Sequence, residues 1–484
     1  MKKFTYLLLG CAMMAYSCSK PTDYLQQCWE KQGLVLHQKN ISFTFKEKMH
    51  MLHHSMTPWL KSPYEIKGLI ELNSDTFVKT DSIDFRGRNF NSITQFVGDT
   101  LVYLDYGADS ASDVTEELVL EHMKHNPGYI PFQLLQYYIH HPQEVTFTEN
   151  DSFAIYTLNL YESVSNIYIK KRDLLIDKVT FLTHHKLYGD VISAYTYSDY
   201  QTIENIAIAQ QIEISRINGQ IQDQVTLDEI QFTSGITPPL SLPLKYEIQK
   251  TESIADEATI THYNDRIHFI DLKDADNRTL VVEFDDFLCL AKAPLNSENG
   301  ELIISKAQEI APNKPIKYFI VGHHHPHSIG GIRPFVNTGA EIICTSENVD
   351  YLQFIIDAPR SLHPDQLQQS QKTGQYRIVE DSIHISDGSY EIQIFKIGEI
   401  SAHTSDFMVY YFPQEHLLFQ DDLTWMAKGQ PIRKAGKRQE GLYQAIVDRQ
   451  LEVDTIFQSW PIVGRNVKSV IPFEELEYSV RLTE

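Results

Sequence analysis

The sequence is organised around the segment Val321-Gly322-His323-His324-His325-Pro326-His327-Ser328-Ile329-Gly330-Gly331. Four imidazoles lie within five residues, directly after an apolar run at 316–321 and before a glycine pair. When two histidines in the loop after a buried strand are two residues apart, both side chains can point into one metal coordination sphere. Zinc accepts imidazole nitrogens at about 2.0–2.1 Å. The segment therefore predicts a metal site. The alternative is a polar surface loop, because a histidine-rich composition is weak evidence by itself.

The residues around this segment predict an α/β layer fold for the second half of the chain. Strands are expected at 267–272, 280–283, 316–321 and 341–344, and helices at 330–337 and 349–356. Gly339 is expected to end the first helix, because glycine adopts positive φ at little cost. Strands that alternate with helices are typical of α/β folds.

The first half predicts a mainly antiparallel β domain. Apolar and polar residues alternate at 41–45, 64–72, 153–158 and 167–170, and a helix is expected only at 131–141. Asn218-Gly219 predicts a hairpin between strands at 211–217 and 220–227. Three prolines and a glycine follow, which predicts a linker at 234–246 between domains at 18–233 and 247–484.

The first residues have the features of an export signal. Lys2 and Lys3 precede an apolar stretch that ends in Ala15-Tyr16-Ser17-Cys18-Ser19-Lys20. This stretch resembles a bacterial lipoprotein signal, which implies removal of residues 1–17 and a lipid on Cys18. Cys11 is a rival position with a shorter apolar region, and a secreted protein without lipid is the alternative. Both alternatives predict an exported protein. With the lipid, the protein is anchored in the bacterial cell envelope and faces the periplasm or the surface.

Composition excludes several kinds of partner. The 484 residues carry 42 Lys and Arg against 64 Asp and Glu, a net charge of −22, which argues against nucleic acid. No window has the roughly 18–20 apolar residues that span a bilayer, so contact with a membrane is expected only through the lipid. Cys28, Cys289 and Cys344 form no paired-cysteine pattern and are expected to be buried thiols.

The second half resembles the metallo-β-lactamase superfamily over residues 261–473. The family signature, H-x-H-x-D-H-x-G-G after a strand, is similar to the histidine segment. His403 precedes a predicted strand at 407–412, and Asp422 ends the run Leu418-Phe419-Gln420-Asp421-Asp422. The resemblance implies an αββα sandwich and a zinc site. It also implies the ligands of that site, which are His323, His325, His403 and the bridging Asp422.

The resemblance is incomplete at the second metal position. Without a gap, the family's aspartate corresponds to His327 and its last histidine to Ser328. With a one-residue gap, His327 takes the place of that histidine. The aspartate is absent in both alignments, and Trp460 or a neighbour stands where a later histidine is expected. The resemblance therefore implies one zinc ion, with His327 as a remaining candidate ligand for a second.

Two functions follow from these observations. The first is an exported hydrolase acting on a small ester, lactone or amide, in which Asp422 holds the attacking water and His324 or His327 donates a proton to the leaving group. The second is an inactive binding or carrier lipoprotein for an apolar ligand. The latter is suggested by a resemblance of the first half to LolA-like sheets, at Tyr188-Gly189-Asp190-Val191 and at residues 195–200.

Two further expectations concern residues near the predicted site. The histidine pairs His53-His54, His140-His141 and His184-His185 are expected to be surface residues without a role. Asp421 is expected to point away from Asp422, because adjacent residues of a strand face opposite sides of a sheet.

Overall fold

The computed structural model describes residues 22–33, 39–85, 87–97, 100–105, 110–112, 126–160, 163–236, 247–249 and 257–483. The predicted signal at 1–17, the lipid position Cys18 and most of the predicted linker at 234–246 lie outside the described residues. Within the described ranges, no helix combines the length and the apolar character needed to cross a membrane.

The first half forms one large sheet whose strands are antiparallel, except where β14 pairs with β6. Its spatial order is β14-β6-β5-β4-β3-β2-β1-β13-β12-β11-β10-β9-β8-β7. The strands are β1 (Asn40–Met51), β2 (Ser62–Leu72), β3 (Thr76–Phe85), β4 (Arg88–Val97), β5 (Thr100–Asp105), β6 (Ser110–Ser112), β7 (Val145–Glu149), β8 (Phe153–Leu160), β9 (Ser163–Lys170), β10 (Ile176–His185), β11 (Gly189–Ile203), β12 (Ile206–Arg216), β13 (Ile221–Thr233) and β14 (Glu247–Gln249).

The predicted hairpin is confirmed. Strands β12 and β13 pair on either side of Asn218 and Gly219, whose φ angles are 54° and 88°.

Two helices, α1 (Thr22–Gln32) and α2 (Phe132–His140), pack on one face of the sheet, where Trp29 stacks on Phe132 with ring centroids 5.2 Å apart. Helix α2 was expected from the sequence, whereas α1 was not.

The second half contains two sheets. The first has the order β15 (Ala258–His262), β16 (Ile267–Leu272), β17 (Asn277–Glu283), β18 (Leu288–Ala291), β19 (Ile316–Ile320), β20 (Glu341–Cys344) and β21 (Gln375–Ile378). The second has the order β22 (Ser382–Ser386), β23 (Glu391–Lys396), β24 (Met408–Phe412), β25 (Leu417–Gln420), β26 (Thr455–Gln458) and β27 (Val470–Pro472). The helices are α3 (Ser297–Ile310), α4 (Pro326–Ile329), α5 (Ile332–Thr338), α6 (Val349–Ile356), α7 (Gln366–Ser370), α8 (Lys437–Asp448) and α9 (Phe473–Arg481).

Buried apolar clusters show how these layers pack. One cluster joins the facing sides of the two sheets, where Phe269 and Phe419 stack with ring centroids 6.0 Å apart. Another joins the first sheet to α3, α5 and α6, and a third joins the second sheet to α8 and α9. The expected alternation of strands and helices is present from β18 to β21, whereas β15 to β18 and β21 to β25 follow one another without an α-helix between them. Cys28, Cys289 and Cys344 are buried and form no disulfide, as expected.

The two halves share a core. Leu52 and Val191 of the first half belong to the same apolar cluster as the helices on the first sheet of the second half. The hydroxyl groups of Tyr188 and Tyr351 lie 2.7 Å apart, and Arg360 Nη2 donates to the backbone oxygen of Lys186 at 2.8 Å. These contacts hold the loop after β1 and the turn between β10 and β11 against the histidine-bearing half.

Candidate metal centre

The predicted site residues meet where strands of both sheets end. Strands β18 and β19 are parallel, as are β25 and β26, so their carboxyl ends lie at the same side. The segments that leave these ends carry the polar residues, as is usual in α/β folds. In order along the chain, these residues are Lys292, His323, His325, Asp421, Asp422, Ser459 and Trp460.

The glycine pair lets the histidine loop pack closely against residues 293–296. A side chain at Gly330 would lie 2.2 Å from the backbone of Leu295, and one at Gly331 would lie 2.8 Å from Cβ of Ala293. The helix expected at 330–337 is present as α5, which begins two residues later, and the short helix α4 before the glycine pair was not expected. Gly339 ends α5 with φ of 91°, as expected.

The predicted zinc ligands lie together and are buried. The ring centroids of His323 and His325 are 4.6 Å apart, those of His325 and His403 are 4.7 Å apart, and those of His323 and His403 are 5.0 Å apart. Possible ligand atoms of His323, His403 and Asp422 lie within 4.8 Å of one another, and so do those of His323, His325 and His327. The histidine loop and the two later segments thus converge on one small volume. The residues that meet there are called the ligand cluster below, namely His323, His325, His327, His403 and Asp422.

Several polar atoms in this volume have no partner within the described part of the chain. They include Nε2 of His323 and Oδ1 of Asp422, which are buried and without a hydrogen bond, while Nε2 of His327 also makes no hydrogen bond but lies 3.8 Å from Oδ2 of Asp421. Buried polar groups are nearly always satisfied, and a cation held by imidazole and carboxylate would satisfy these. The donor set therefore fits a metal ion such as zinc.

Asp421 lies in the site beside Asp422, contrary to the expectation that it points away. Strand β25 ends at Gln420, so the strand alternation no longer applies to these two residues. Asp421 Oδ1 accepts from Lys292 Nζ and Ser459 Oγ, and its Oδ2 lies 3.1 Å from Nδ1 of His323. Burial opposes protonation of His323, but Asp421 outweighs it and raises the pKa of His323. Asp421 thus orients the ring of His323 from behind.

Asp422 faces His403 and a cation at the cavity wall. Its Oδ2 lies 3.1 Å from Nε2 of His403 and 3.2 Å from Nη1 of Arg438. Burial alone would raise the pKa of Asp422, but His403 and the neighbouring histidines outweigh it and lower this pKa below its ordinary value. Asp422 is therefore ionised at neutral pH. Arg438 was not identified from the sequence.

His324 is not placed to donate a proton to a leaving group. It is fully buried, its Nδ1 lies 3.0 Å from Oδ1 of Asp406, and its Nε2 lies 3.4 Å from Oγ of Ser55. It does not line the cavity described below. The expected catalytic role of His324 is therefore corrected to a structural one. His327, which does line the cavity, keeps the role of candidate donor.

Asp406→Ala is expected to lower the free energy of unfolding by about 3–5 kcal/mol, because it leaves His324 and Asn348 Nδ2 without their buried partner. The pKa of Asp406 is lowered, by His324 and His323 acting against burial. This stabilisation is therefore complete above the ordinary pKa of aspartate and is lost only as the pH falls below it. Denaturant titration measures the change. Asp381→Ala, at an exposed carboxylate, is the control. Equal effects of the two substitutions would contradict the prediction.

The first half of the chain contributes a loop to this centre. In the loop after β1, the backbone oxygen of Ser55 accepts from Nε2 of His325 at 3.2 Å, and the backbone oxygen of Met56 accepts from the amide of Ser405 at 2.8 Å. The bond to Ser55 leaves Nδ1 of His325 as the nitrogen available to a metal. The ring of His54 lies 5.0 Å from that of His325. His54 is exposed and His53 is half-buried, as expected for surface residues, but both line the cavity described below.

A cavity of about 890 Å³, called the metal cavity below, opens beside the ligand cluster and is lined by both halves. His54 stands on one side, and Trp425 and Arg438 stand on the other. Trp460, at the position where a family histidine is missing, stacks on His327 with ring centroids 5.1 Å apart. The second pair, His184-His185, also lines this cavity, contrary to expectation. The cavity offers a substrate access to the donor cluster.

Two histidines beside the cavity, His53 and His325, are neutral at neutral pH. Burial, reinforced by neighbouring imidazoles, lowers the pKa of the half-buried His53 to about 3. Burial and the same crowding hold the pKa of His325 well below its ordinary value. Neutral imidazole is the form that binds a metal ion.

Comparison with known proteins gives the following result. No family model matches the chain, and no curated protein is significantly similar to it. Solved structures that resemble it include the DIM-1 metallo-β-lactamase, at 14% identity over 46% of this chain and 95% of that chain, with a TM-score of 0.34. They also include a metallo-β-lactamase from Pontibacter korlensis, at 14% identity over 46% and 97% with a TM-score of 0.33, and FIM-1 from Pseudomonas aeruginosa in its mono-zinc form, at 16% identity over 48% and 97% with a TM-score of 0.33.

Proposed function

We propose that the protein is a metal-dependent hydrolase whose second half is an αββα sandwich of the metallo-β-lactamase type. The observation that carries this proposal is the convergence of His323, His325, His403 and Asp422 on one buried volume with unpartnered donor atoms. A cavity that reaches these atoms supports catalysis on a small molecule rather than a closed structural site.

The proposed metal is a single zinc ion held by His323, His325 and His403. A second ion is disfavoured by charge. Lys292 is buried and its ammonium contacts Asp421, the carboxylate nearest His327. A fixed cation at that place repels a second metal ion and already neutralises the carboxylate that would hold it.

The chain's own residues supply the proton transfers of the proposed reaction. When bound, a zinc ion at this site would polarise the substrate carbonyl and lower the pKa of water to about 7. Oδ1 of Asp422 is ionised, unpartnered and beside the ligand cluster, so it is placed to accept a proton from the attacking water. His327 lines the cavity; burial holds its pKa well below the ordinary value, so it is neutral at rest and would relay to the leaving group a proton that it receives during the reaction.

Export and lipid attachment are part of this proposal. The signal at 1–17 and Cys18 would place the enzyme in the cell envelope, attached to the membrane by its lipid. The alternative function, an inactive carrier of an apolar ligand, is supported by a cavity inside the first half that is described below. The unpartnered donors at the ligand cluster favour the hydrolase.

Removal of the metal tests the proposed function. Purified mature protein is expected to hold about one metal ion per chain, measured by elemental mass spectrometry. Dialysis against a chelator is expected to reduce hydrolysis of a panel of esters, lactones and amides to background, and added zinc is expected to restore it. Turnover that is insensitive to the chelator, or a folded protein that takes up no metal, would contradict the proposal.

A further inference from the structure

A second cavity, of about 330 Å³, lies in the first half next to the metal cavity and is called the sheet cavity below. Its apolar wall comes from the large sheet and its loops. Six side chains of this wall are at most 7% exposed, namely Leu52, Phe181, Val191, Tyr195, Ile217 and Ile221. The wall is therefore part of the protein core, although it borders empty space.

The two cavities share a wall. His53, His184 and His185 line both of them, so only the thickness of these side chains separates the sheet cavity from the space beside the ligand cluster. A molecule with its reacting group in the metal cavity therefore has to pass only these side chains to reach the first half.

The polar groups of the sheet cavity are mostly paired within the protein. Nδ1 of His50 lies 3.1 Å from Asp223, and Arg216 donates from Nε to Asp223 at 2.7 Å and from Nη2 to the backbone oxygen of His50 at 2.9 Å. Among the described residues that line this cavity there is no carboxylate. Polar and apolar groups contribute similar shares of the lining, and the six buried apolar side chains form the part that an apolar ligand would contact.

The size of the cavity suits a ligand of moderate length. A dry apolar cavity of about 150 Å³ suffices to bind benzene. The sheet cavity, at about 330 Å³, has the volume of roughly ten water-sized groups, at about 30 Å³ each. A methylene group is of similar size, so an unbranched chain of medium length fits.

We propose that the substrate is an acyl ester whose chain lies in the sheet cavity while its ester bond lies at the ligand cluster. Water adds to the acyl carbon and the bond from that carbon to the alcohol oxygen breaks. One proton of the water leaves with the alcohol, and the products are a carboxylic acid and an alcohol. The cleavage step rests on the proposed function, whereas the binding of the chain does not.

The test combines chain-length kinetics with direct binding. Hydrolysis of p-nitrophenyl acetate, hexanoate and decanoate by the zinc-loaded protein gives kcat/KM against chain length. Each methylene that enters the cavity is expected to raise kcat/KM about four-fold, the equivalent of about 0.8 kcal/mol. Dansylaminoundecanoic acid, whose fluorescence rises on transfer to an apolar site, is titrated into metal-free protein.

Two variants locate the chain. Ser193→Trp fills the sheet cavity, and Ile192→Trp is its control on the opposite face of β11, where Ile192 is 48% exposed. Ser193→Trp is expected to abolish the chain-length dependence and to weaken probe binding at least ten-fold, whereas the control keeps both. Thr183→Phe, on the adjacent strand β10, serves if Ser193→Trp does not fold.

The outcomes separate the two proposals. Probe binding that the cavity variants remove supports the sheet cavity even if no ester is hydrolysed, and in that case the proposed function fails alone. Ester hydrolysis that does not depend on chain length, together with probe binding that is absent or equal in all variants, overturns the acyl-chain proposal and leaves the hydrolase.

Discussion

The double variant His323→Ala, His403→Ala is expected to lose its metal, from about one ion per chain to near none, and with it all hydrolysis. Three imidazoles are the proposed protein ligands, and one imidazole cannot hold zinc against the solvent. The ring centroids of these two residues are 5.0 Å apart and Nε2 of His323 is unpartnered, so the structure contains no other role for that nitrogen. Elemental mass spectrometry of the purified variant measures the loss.

The control for this experiment is the double variant His140→Ala, His141→Ala. It removes the same number of imidazoles from the end of α2, far along the chain from the ligand cluster. Metal content and turnover are expected to stay at the level of the unmodified protein. Full metal content in the His323, His403 variant, with its fold intact by circular dichroism, would exclude the proposed site.

Asp422→Asn is expected to lower kcat by about 10²–10⁴-fold while the metal stays bound. In the unmodified protein, Nη1 of Arg438 lies 3.2 Å from Oδ2 of Asp422. Asparagine keeps the shape of the side chain and an oxygen for this contact, but it cannot accept a proton from water. The three histidines remain to hold the ion. Turnover on the best substrate of the panel and metal content of the same sample are measured together.

Asp285→Asn is the matched control for this substitution. This aspartate is exposed, pairs with Arg266 at 2.8 Å, and lies outside the residues that line the metal cavity. It is expected to leave kcat unchanged. Retained turnover in Asp422→Asn would remove Asp422 from the mechanism. Loss of metal together with turnover would make it a ligand rather than a base.

The sequence predicts the ligand cluster well because its signals are local. His323, His325 and His327 lie in one loop whose position after a buried strand is visible in the apolar run before it. His403 and Asp422 stand next to strands of similar pattern, and the resemblance to a known family relates them to that loop. The loop histidines were assigned from their own neighbours in the chain, His403 and Asp422 only through the resemblance, and the structure brings possible ligand atoms of these residues close together.

The residues that the sequence does not predict come from distant segments. Nothing near His53-His54 distinguishes this pair from His140-His141, since both are histidine pairs at the end of a regular element. Only the packing of the two halves places one pair at the cavity. The sequence also gives no sign that Lys292 pairs with Asp421, which lies more than a hundred residues later. Nor does it show that the strand ends at Gln420, which lets both Asp421 and Asp422 face the site.

The bond from His325 to the backbone oxygen of Ser55 has an evolutionary consequence. A metal domain that obtains its ligand geometry from another domain's main chain cannot be exchanged between proteins as an independent module. Substitutions that shift the loop after β1 act on the centre as directly as substitutions in the centre itself. The two halves are therefore expected to have been inherited together, as one selective unit.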